Sequence, residues 1–491
     1  MAETIVPIPG PPPLPLIGNL RDIDLNNTIQ SFERLAETYG PIFKLYLGGS
    51  ERVFITNHEL ANEVLSRKDF VKKITGATEH LAKVMPEGIL TATHGQESWG
   101  LTRRTLNPVF TRGAVKEMFP EMLDIASQLV LKWARFGPDE EFDVQEEFTR
   151  LSMDTIALCA MGTRFNSFYR ENQAEFVQRF GDIFNEVQRR SNRPEWYTSM
   201  MWEANRLLDE NIQFVRDFCG ELVAERRANP AEKKNTIFDA MVNRRDPVSG
   251  KELSSSTITD NMITFLFAGH DTTSGLLSFV LAHLIMNPEA YAKLQEEVDR
   301  VLGDGAITPD HLNELHYTRA CLRETLRLEP PSPGLVLMPL AEPHERVVIG
   351  GKYVIQGGQT TVVLIPTLHR DPDSFGPDAN EFKPERMLEE NFKKLPKNAF
   401  KPFGNGQRSC IGNEFATQQA MMVTAILFQK FDFEFVDPGY ELQYQPSIHR
   451  KAKDLYIQAR LRPGVDATSL NRDLFYPGNQ RRPLVDAVPG T

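Results

Sequence analysis

Apolar side chains recur every three to four positions along most of this chain, which is the periodicity of amphipathic α-helices. The pattern predicts helices at 28–39 and 58–68 and an almost wholly helical region from 115 to about 228. Strand-like alternation with glycines between predicts one hairpin, formed by strands 42–47 and 52–55. Further short alternating runs follow towards the C-terminus. The expected fold class is therefore mainly α with small β-sheets.

One helix of this pattern is apolar nearly all round. It spans about 257–286, and a helix of that kind is buried either in protein or in a bilayer. Asp271 stands at its centre, where a charge costs about 2.5–3.5 kcal/mol in a membrane, so burial in protein is favoured. Asp271 and Thr272 are then candidate functional groups. The Thr272 hydroxyl could equally bond the carbonyl four residues back.

A second stretch that suggests chemistry is the loop 403–412, Phe-Gly-Asn-Gly-Gln-Arg-Ser-Cys-Ile-Gly. Its glycines at 404, 406 and 412 are expected to permit positive φ. A helix is predicted from 413 to 429, so free N–H groups at its start can stabilise Cys410 as a thiolate. A thiolate suits a soft metal, haem iron among them. A lone cysteine can also be a small buried hydrophobe.

The composition of the chain excludes some classes of partner and indicates a cellular compartment. The 491 residues carry a formal net charge of −11, which argues against a nucleic-acid partner. The four cysteines lack the CxxC spacing of a zinc site or a disulfide framework, so a reducing, cytoplasmic location is expected. The N-terminus shows no signal peptide and no membrane anchor, which predicts a soluble protein.

The chain changes character after residue 462. From 463 to 491 it is mostly polar, contains Pro-Gly pairs and lacks helical or strand periodicity. We therefore expect a domain at 1–462 followed by a linker at 463–491.

The loop at 403–412 resembles the haem-binding loop of the cytochrome P450 family, Phe-x-x-Gly-x-Arg-x-Cys-x-Gly, with every defined position filled. The resemblance implies the cytochrome P450 fold and a haem b group with Cys410 as axial iron ligand. It implies that Phe403 lies on the sulfur side of the haem, that Arg408 pairs with a propionate and that Gly412 completes the loop.

Three other motifs resemble the same family in the same order. Trp99-x-x-x-Arg103 is similar to a helix that grips a propionate. Ala268-Gly269-x-Asp271-Thr272-Thr273 is similar to the oxygen-activating helix. There Gly269 leaves room for a widened turn that can hold dioxygen, Thr272 bonds the distal oxygen, and Asp271 relays protons.

The third of these motifs is Glu324-x-x-Arg327 with Arg386 downstream. A surface pair at this spacing contributes only a few tenths of a kcal/mol. In the family the three residues are buried and hold the cysteine loop in place, so a structural role in supporting the haem is implied for Glu324, Arg327 and Arg386.

The closest resemblance is to the haem domain of self-sufficient fatty-acid hydroxylases, in which a linker joins that domain to a flavin reductase. It implies hydroxylation of medium- or long-chain fatty acids near the methyl end. Dioxygen is the co-substrate, and electrons come from NADPH through FAD and FMN of a reductase outside this chain. The implied substrate contacts are Arg52, Phe54, Leu90, Phe265, Ala268, Ser332 and Gly334.

Two positions depart from the family's pattern, and two other classes of protein stay open. Ser50 and Phe54 stand about where the family carries an arginine and a tyrosine for the carboxylate, which leaves Arg52 as the nearest cationic candidate. A haem-thiolate peroxygenase or isomerase would need no reductase, and a non-enzymatic haem carrier would need no oxygen-activating helix. Asp271 and Thr272 argue against both.

Overall fold

The computed structural model describes residues 5–170, 173–191, 193, 195–229, 236–465, 470 and 474. These residues fold mainly into α-helices with small sheets, as the hydrophobic pattern predicts. The helices are α1 (Thr28–Tyr39), α2 (His58–Ser66), α3 (Ala77–Val84), α4 (Glu97–Leu106), α5 (Arg112–Lys116), α6 (Phe119–Phe136), α7 (Val144–Met161), α8 (Glu175–Ser191), α9 (Glu195–Met200), α10 (Trp202–Ala228), α11 (Ile237–Asn243), α12 (Ser255–Met286), α13 (Pro288–Leu302), α14 (His311–Glu314), α15 (His316–Leu328), α16 (Ile365–Leu368), α17 (Pro372–Phe375), α18 (Glu389–Phe392) and α19 (Asn413–Lys430).

The strands form four small sheets. A five-stranded sheet has the order β1-β2-β8-β5-β3, a three-stranded sheet has the order β4-β12-β9, and β6-β7 and β10-β11 are two-stranded. The strands are β1 (Ile42–Leu47), β2 (Ser50–Ile55), β3 (Phe70–Lys72), β4 (Phe142–Asp143), β5 (Gly334–Pro339), β6 (Arg346–Ile349), β7 (Tyr353–Gln356), β8 (Thr360–Leu364), β9 (Phe431–Phe435), β10 (Gln443–Tyr444), β11 (Ala452–Lys453) and β12 (Tyr456–Leu461).

The predicted hairpin is present, with its second strand two residues longer than expected. Gly48 and Gly49 make the turn at φ values of 59° and 80°, which other residues rarely adopt. The two strands pair antiparallel, with Phe43 opposite Phe54. On its other edge β2 pairs parallel with β8. Val53 and Ile55 pack into one apolar cluster and Phe54 into another, so both faces of β2 are covered and these side chains are buried.

The apolar helix is the axis of the main core. In the structure α12 begins at Ser255, where the Ser254 hydroxyl caps it by accepting from the Thr257 N–H. It packs along α7, with Gly269 against Ile156. A Cβ added there would lie 2.6 Å from Cγ1 of Ile156. Helix packing therefore requires glycine at 269. The backbone is continuously α-helical between Ser255 and Met286, so the widened turn expected at Gly269 is not present in that range.

Five described residues lie within the predicted linker at 463–491, and two of them are part of the core. Leu470 and Leu474 are buried and belong to the main hydrophobic core. Most of that segment lies outside the described residues, so the boundary at 462 stays a prediction. Of the helices in the described part of the chain, none is both apolar enough and long enough to cross a bilayer.

Candidate haem-binding site

The loop before α19 is closed by its own backbone. The Cys410 N–H donates to the Phe403 carbonyl at 2.8 Å, and the Ser409 N–H donates to Gly406 at 3.1 Å. Gly404 and Gly406 take φ values of 77° and 60°, as the sequence predicts. Gly412 does not, because it is the N-cap of α19 at φ −85°. Its backbone N–H instead bonds the Cys410 sulfur and favours the thiolate.

Cys410 differs from the other cysteines of the chain. Cys159, Cys219 and Cys321 are buried in helices of the core, and burial raises the pKa of Cys219 to about 12. The Cys410 side chain is exposed. Its sulfur is nonetheless surrounded by protein, and this burial raises the pKa of the thiol against the opposing effects of the Gly412 N–H and the Arg103 charge. A sulfur atom that is enclosed by protein but still accessible can bind a ligand that lies inside the protein.

Two arginines lie beside this loop. Arg408 donates to the carbonyls of Ala92 at 3.0 Å and Thr93 at 2.9 Å, and its guanidinium lies 4.0 Å from the centre of the Trp99 ring. Arg103 donates to the Ser409 carbonyl at 3.0 Å. The helix α4 therefore brings Trp99 and Arg103 against the loop, as their four-residue spacing predicts. Trp99 stacks on the cation of the loop rather than on Arg103.

A third cation, Lys72, was missed by the sequence analysis. Its ammonium donates to the Leu90 carbonyl at 2.6 Å, and burial together with the Arg408 charge lowers its pKa to about 8. Burial and the Arg103 charge lower the pKa of Arg408 to about 10. Only the pairing of β3 with β5 brings Lys72 to this place, so no local pattern could have indicated it.

These side chains fit a haem group. No ion pair to a carboxylate is formed by Lys72, Arg103 or Arg408 within the described part of the chain, and each bonds only backbone carbonyls. Three crowded cations without a counter-charge favour an anionic ligand, since an opposite charge would relieve their repulsion and desolvation. The two propionates of haem would supply that charge, and Cys410 would supply a soft ligand to its iron.

The predicted support triad is assembled beneath the loop. The Arg327 guanidinium binds the Glu324 carboxylate through Nε at 2.8 Å and through a terminal nitrogen at 2.7 Å. Both side chains are completely buried. Arg386 approaches Oε1 of Glu324 at 3.4 Å, and its terminal nitrogens bind the carbonyls of Phe375 and Asp378. The geometry makes this a buried, fully bonded network.

His369 connects this network to the cysteine loop. The Lys401 N–H donates to its Nε2 at 2.8 Å, so Nε2 carries no proton and Nδ1 donates to the Arg327 carbonyl at 3.2 Å. Burial lowers the pKa of His369 to about 3, which keeps the ring neutral in this tautomer. Since Lys401 lies two residues before Phe403, the histidine joins α15 directly to the loop.

A narrow strip of α12 is less buried than the helix around it. Ala268, Gly269 and Thr272 are half-buried, whereas the residues around them are buried. Their spacing places them on one side of the helix. The Thr272 hydroxyl donates to the Ala268 carbonyl at 2.9 Å. Phe265 lies one turn earlier and is buried, with its ring 5.6 Å from that of Phe110.

Asp271 is held by two side chains that the sequence did not indicate. Its Oδ2 accepts from Nδ1 of His449 at 2.6 Å, and its Oδ1 is in ion-pair contact with Lys451. Burial alone would raise the pKa of this carboxyl, but the charge of Lys451 and the hydrogen bond from His449 hold it well below its usual range. Asp271 is therefore a carboxylate, and both oxygens face the loop that carries His449 and Lys451.

The segment containing Leu90 is fastened to α12 by two buried polar residues. Asp260 accepts from the Glu87 N–H at 2.8 Å, and Asn261 accepts from the Ile89 N–H at 2.9 Å. Leu90 itself is half-buried. The sequence analysis missed Asp260 and Asn261, although polar residues at the start of an otherwise apolar helix are a signal that could have found them.

The other residues predicted to contact substrate differ in how deeply they are buried. Phe54 is 2% exposed and lies between Phe32 and Phe43, with ring centres 4.7 and 4.9 Å away. It is therefore a core residue of the inner strand β2 and does not face a channel mouth. Arg52 is half-buried, and its Nε is buried without a hydrogen-bond partner among the described residues. Burial lowers its pKa, while Glu79 acts in the opposite direction.

Ser332 and Gly334 lie at the start of β5. Ser332 is exposed, and Gly334 is half-buried opposite Leu364 of β8. The next residue, Leu335, would lie 3.6 Å from a Cβ placed on Gly404. This strand therefore reaches the cysteine loop.

With this geometry established, the chain can be compared with known proteins. The family model for cytochrome P450 matches residues 8–457. The chain is 46% identical over 472 residues to a bifunctional cytochrome P450/NADPH–P450 reductase of Aspergillus oryzae, covering 96% of this chain and 43% of that protein. It is 45% identical to the self-sufficient cytochrome P450 monooxygenase CYP505U2 of Exserohilum turcicum, covering 93% and 42%. It is 43% identical to CYP505E3 of Phanerodontia chrysosporium, covering 93% and 43%.

The chain belongs to the cytochrome P450 family. Family membership confirms the predicted fold and implies a haem-thiolate cofactor. The chain spans less than half the length of the curated relatives it matches.

Proposed function

We propose that this chain is the haem domain of a self-sufficient monooxygenase that hydroxylates medium- or long-chain fatty acids at a subterminal carbon. The observation that carries the proposal is the convergence of the Cys410 thiol, three cations without counter-charges and the half-buried strip of α12. A relative named as a bifunctional cytochrome P450/NADPH–P450 reductase supports a flavin reductase as the electron source. FAD, FMN and NADPH would act through that reductase.

In this proposal Cys410 holds the haem iron, and Arg103, Arg408 and Lys72 bind its propionates. Haem with a thiolate ligand supplies the dioxygen and one-electron chemistry. Phe403 and Gly412 shape the surroundings of the sulfur. Trp99 contributes by fixing the Arg408 guanidinium, on which it stacks.

The chain's own contribution to proton handling lies on α12. The Thr272 residue is half-buried on the strip, and its hydroxyl, which donates to the Ala268 carbonyl, would be able to turn and offer its proton to dioxygen as the substrate. Asp271 precedes Thr272 in the chain and is a carboxylate. Its Oδ2 can accept a proton and pass it on. Leu90 and Ala268 give the space above the haem an apolar wall, which favours an alkyl chain and excludes water.

Arg52 is the proposed partner of the substrate carboxylate. Its buried, unpaired Nε and its lowered pKa both favour an anionic ligand. Ser332 and Gly334 are proposed as further contacts along β5. Phe54 is left out of this set because it is buried in the aromatic core.

The first test is the visible spectrum of the dithionite-reduced protein with carbon monoxide. Wild-type protein should show a strongly red-shifted Soret band, and Cys410→Ser should lose it. Cys219→Ala is the matched control, because its thiol lies in the core away from the loop, and it should keep the band. An unshifted band in the wild type, or a shifted band that survives in Cys410→Ser, would contradict the assignment of the ligand.

The second test concerns the substrate. Binding of dodecanoate and dodecanol is followed through the Soret shift in wild type, Arg52→Gln and the control Arg346→Gln, whose side chain is exposed in β6. We expect Arg52→Gln to weaken the acid about tenfold, or about 1.4 kcal/mol, and to leave the alcohol unchanged. Equal effects on both ligands would remove Arg52 as the carboxylate partner. Product analysis with a reductase added then identifies the hydroxylated carbon.

A further inference from the structure

The Asp271 carboxylate has a partner that neither motif nor composition indicates. His449 and Lys451 reach it from the loop between β10 and β11, and His449 lies 178 positions further along the chain. The imidazole Nδ1 lies 2.6 Å from Oδ2 of Asp271. The side chains of His449 and Asp271 are 13% and 10% exposed, so this hydrogen bond is largely shielded from water.

This loop is seated on α12 at a defined place. Gly275 lies one helical turn after Asp271, and a Cβ there would lie only 2.8 Å from the Arg450 carbonyl. Glycine therefore permits the backbone of the loop to touch the helix. The buried Arg450 side chain fastens the loop from the other side, binding Glu329 at 2.9 Å and Glu33 at 3.1 Å.

The imidazole is thereby held between the helix and a cleft. Its ring lies 5.3 Å from that of Phe267 on α12. His449 also lines a cleft of about 170 Å³ whose rim includes exposed residues of the segment before α1. The polar side chains that line this cleft include Asn26, Asn27, Gln30, Gln188, Tyr444 and Gln445.

The two nitrogens of the ring have different surroundings. Nδ1 is committed to Asp271, whereas Nε2 has no hydrogen-bond partner among the described protein groups. Because Nδ1 faces the helix, Nε2 is the nitrogen available to water in the cleft. A polar cleft on one side and a carboxylate on the other are the two connections that a proton-transfer imidazole needs.

We propose that His449 relays protons from this cleft to Asp271 and acts on the reaction only through that carboxylate. A hydronium ion or buffer acid in the cleft gives a proton to Nε2, and the proton on Nδ1 passes to Oδ2 of Asp271. The donor is left as water or as the conjugate base, and the ring is left neutral with its proton on Nε2. Rotation of the ring about the Cβ–Cγ bond brings Nδ1 to the cleft water, and exchange there restores the first tautomer. The inference rests on the proposed function, because reduction of dioxygen at the haem is what consumes the protons.

The other charged groups around the carboxylate do not offer the same route. Lys451 holds the negative charge in place but contributes no second nitrogen to the cleft. His270 lies 3.8 Å from Oδ1 of Asp271, yet its Nδ1 is bonded to the Leu266 carbonyl within α12, and burial lowers its pKa to about 4. Of the charged groups that contact Asp271, His449 alone also lines the cleft.

The alternative is that His449 only holds Asp271 in position. A glutamine can donate the same hydrogen bond but cannot transfer a proton through its side chain. A phenylalanine fills the space beside Phe267 and removes the hydrogen bond altogether. Comparison of His449→Gln with His449→Phe therefore distinguishes proton transfer by His449 from a role in which it only holds Asp271 in place.

The experiment uses the haem-loaded protein with a flavin reductase added and a substrate that it binds. Product formed per reductant consumed, and its solvent isotope effect in D2O, are measured for wild type, both His449 variants and the exposed control His344→Gln. Haem content and substrate affinity are followed through the Soret band. Infrared spectroscopy reports the Asp271 carboxylate, with its band assigned by its loss in Asp271→Asn.

We expect His449→Gln to lower product yield about tenfold or more, since a positioned acid or base contributes about 10²–10⁴-fold. Its solvent isotope effect should rise, while its carboxylate band, haem content and substrate affinity match the wild type. His449→Phe should lose yield and also shift the band, and His344→Gln should change nothing. Wild-type yield in His449→Gln would overturn the relay alone. Absence of product from the wild type would remove the proposed function, and the relay with it.

Discussion

The buried pair of Glu324 and Arg327 permits the sharpest prediction, because one conservative change removes a known set of bonds. The Arg327 fork makes two bonds to Glu324, at 2.7 and 2.8 Å. It also binds the carbonyls of His369 at 2.9 Å, of Ala379 and of Glu381 at 3.1 Å. In Arg327→Lys the charge stays, but one ammonium group cannot reach all these acceptors.

The expected loss follows from the acceptors left without a donor. Each buried group left without a partner costs about 1–3 kcal/mol. If lysine keeps a bond to Glu324 and loses two carbonyls, the cost is about 2–6 kcal/mol, and disruption of a buried pair typically costs about 3–5 kcal/mol. We expect about 3–5 kcal/mol in the free energy of unfolding, with loss of bound haem because the carbonyl of His369 belongs to the connection to the cysteine loop.

The measurement is urea unfolding followed by circular dichroism, together with the amplitude of the carbon-monoxide Soret band. Arg323→Lys on the same helix is the matched control. Arg323 pairs with Glu389 at 3.1 Å, but the glutamate side chain is 55% exposed, so its loss should cost less than about 1 kcal/mol. If Arg327→Lys is no less stable than Arg323→Lys and keeps its haem, the buried network does not hold the loop.

Three further predictions concern the core. Phe54→Tyr should lower the free energy of unfolding by about 1–3 kcal/mol and leave fatty-acid affinity unchanged, because it buries a hydroxyl in an aromatic cluster; tighter acid binding would contradict the core assignment. Gly275→Val should destabilise by about 1–3 kcal/mol and weaken the contact of the loop with α12, as seen in urea titrations and the Asp271 infrared band; an unchanged band would refute it. Burial lowers the pKa of His270 and His283 to about 4 and that of His369 to about 3. The unfolded chain therefore binds more protons below pH about 6.5, and stability should fall by about 1.4 kcal/mol per pH unit for each histidine as the pH falls towards 4; equal urea midpoints at pH 7 and 5 would contradict this.

The parts of the site that are close in sequence were predictable. The Cys410 loop, its glycines and the helix after it lie within one continuous stretch, and turn chemistry and helix capping act over a few residues. Glu324 and Arg327 are one helical turn apart and so must share a face. In these places the residue types and their spacing alone indicate which side chains meet.

Partners from distant segments were not predictable. Lys72 joins Arg408 only because β3 pairs with β5, and His449 reaches Asp271 only because Gly275 lets a loop touch α12. Phe54 was expected as a substrate contact, but packing against Phe43 and against Phe32 of α1 buries it.

The sequence by itself therefore determined the fold class, the family and the local machinery of a haem-thiolate site, because periodicity and short motifs are properties of neighbouring residues. Tertiary structure alone decided which charges face the haem site and which group faces the Asp271 carboxylate. The physical reason is that electrostatic and packing interactions depend on distance in space, and the spacing of residues along the chain does not specify that distance for segments brought together by folding.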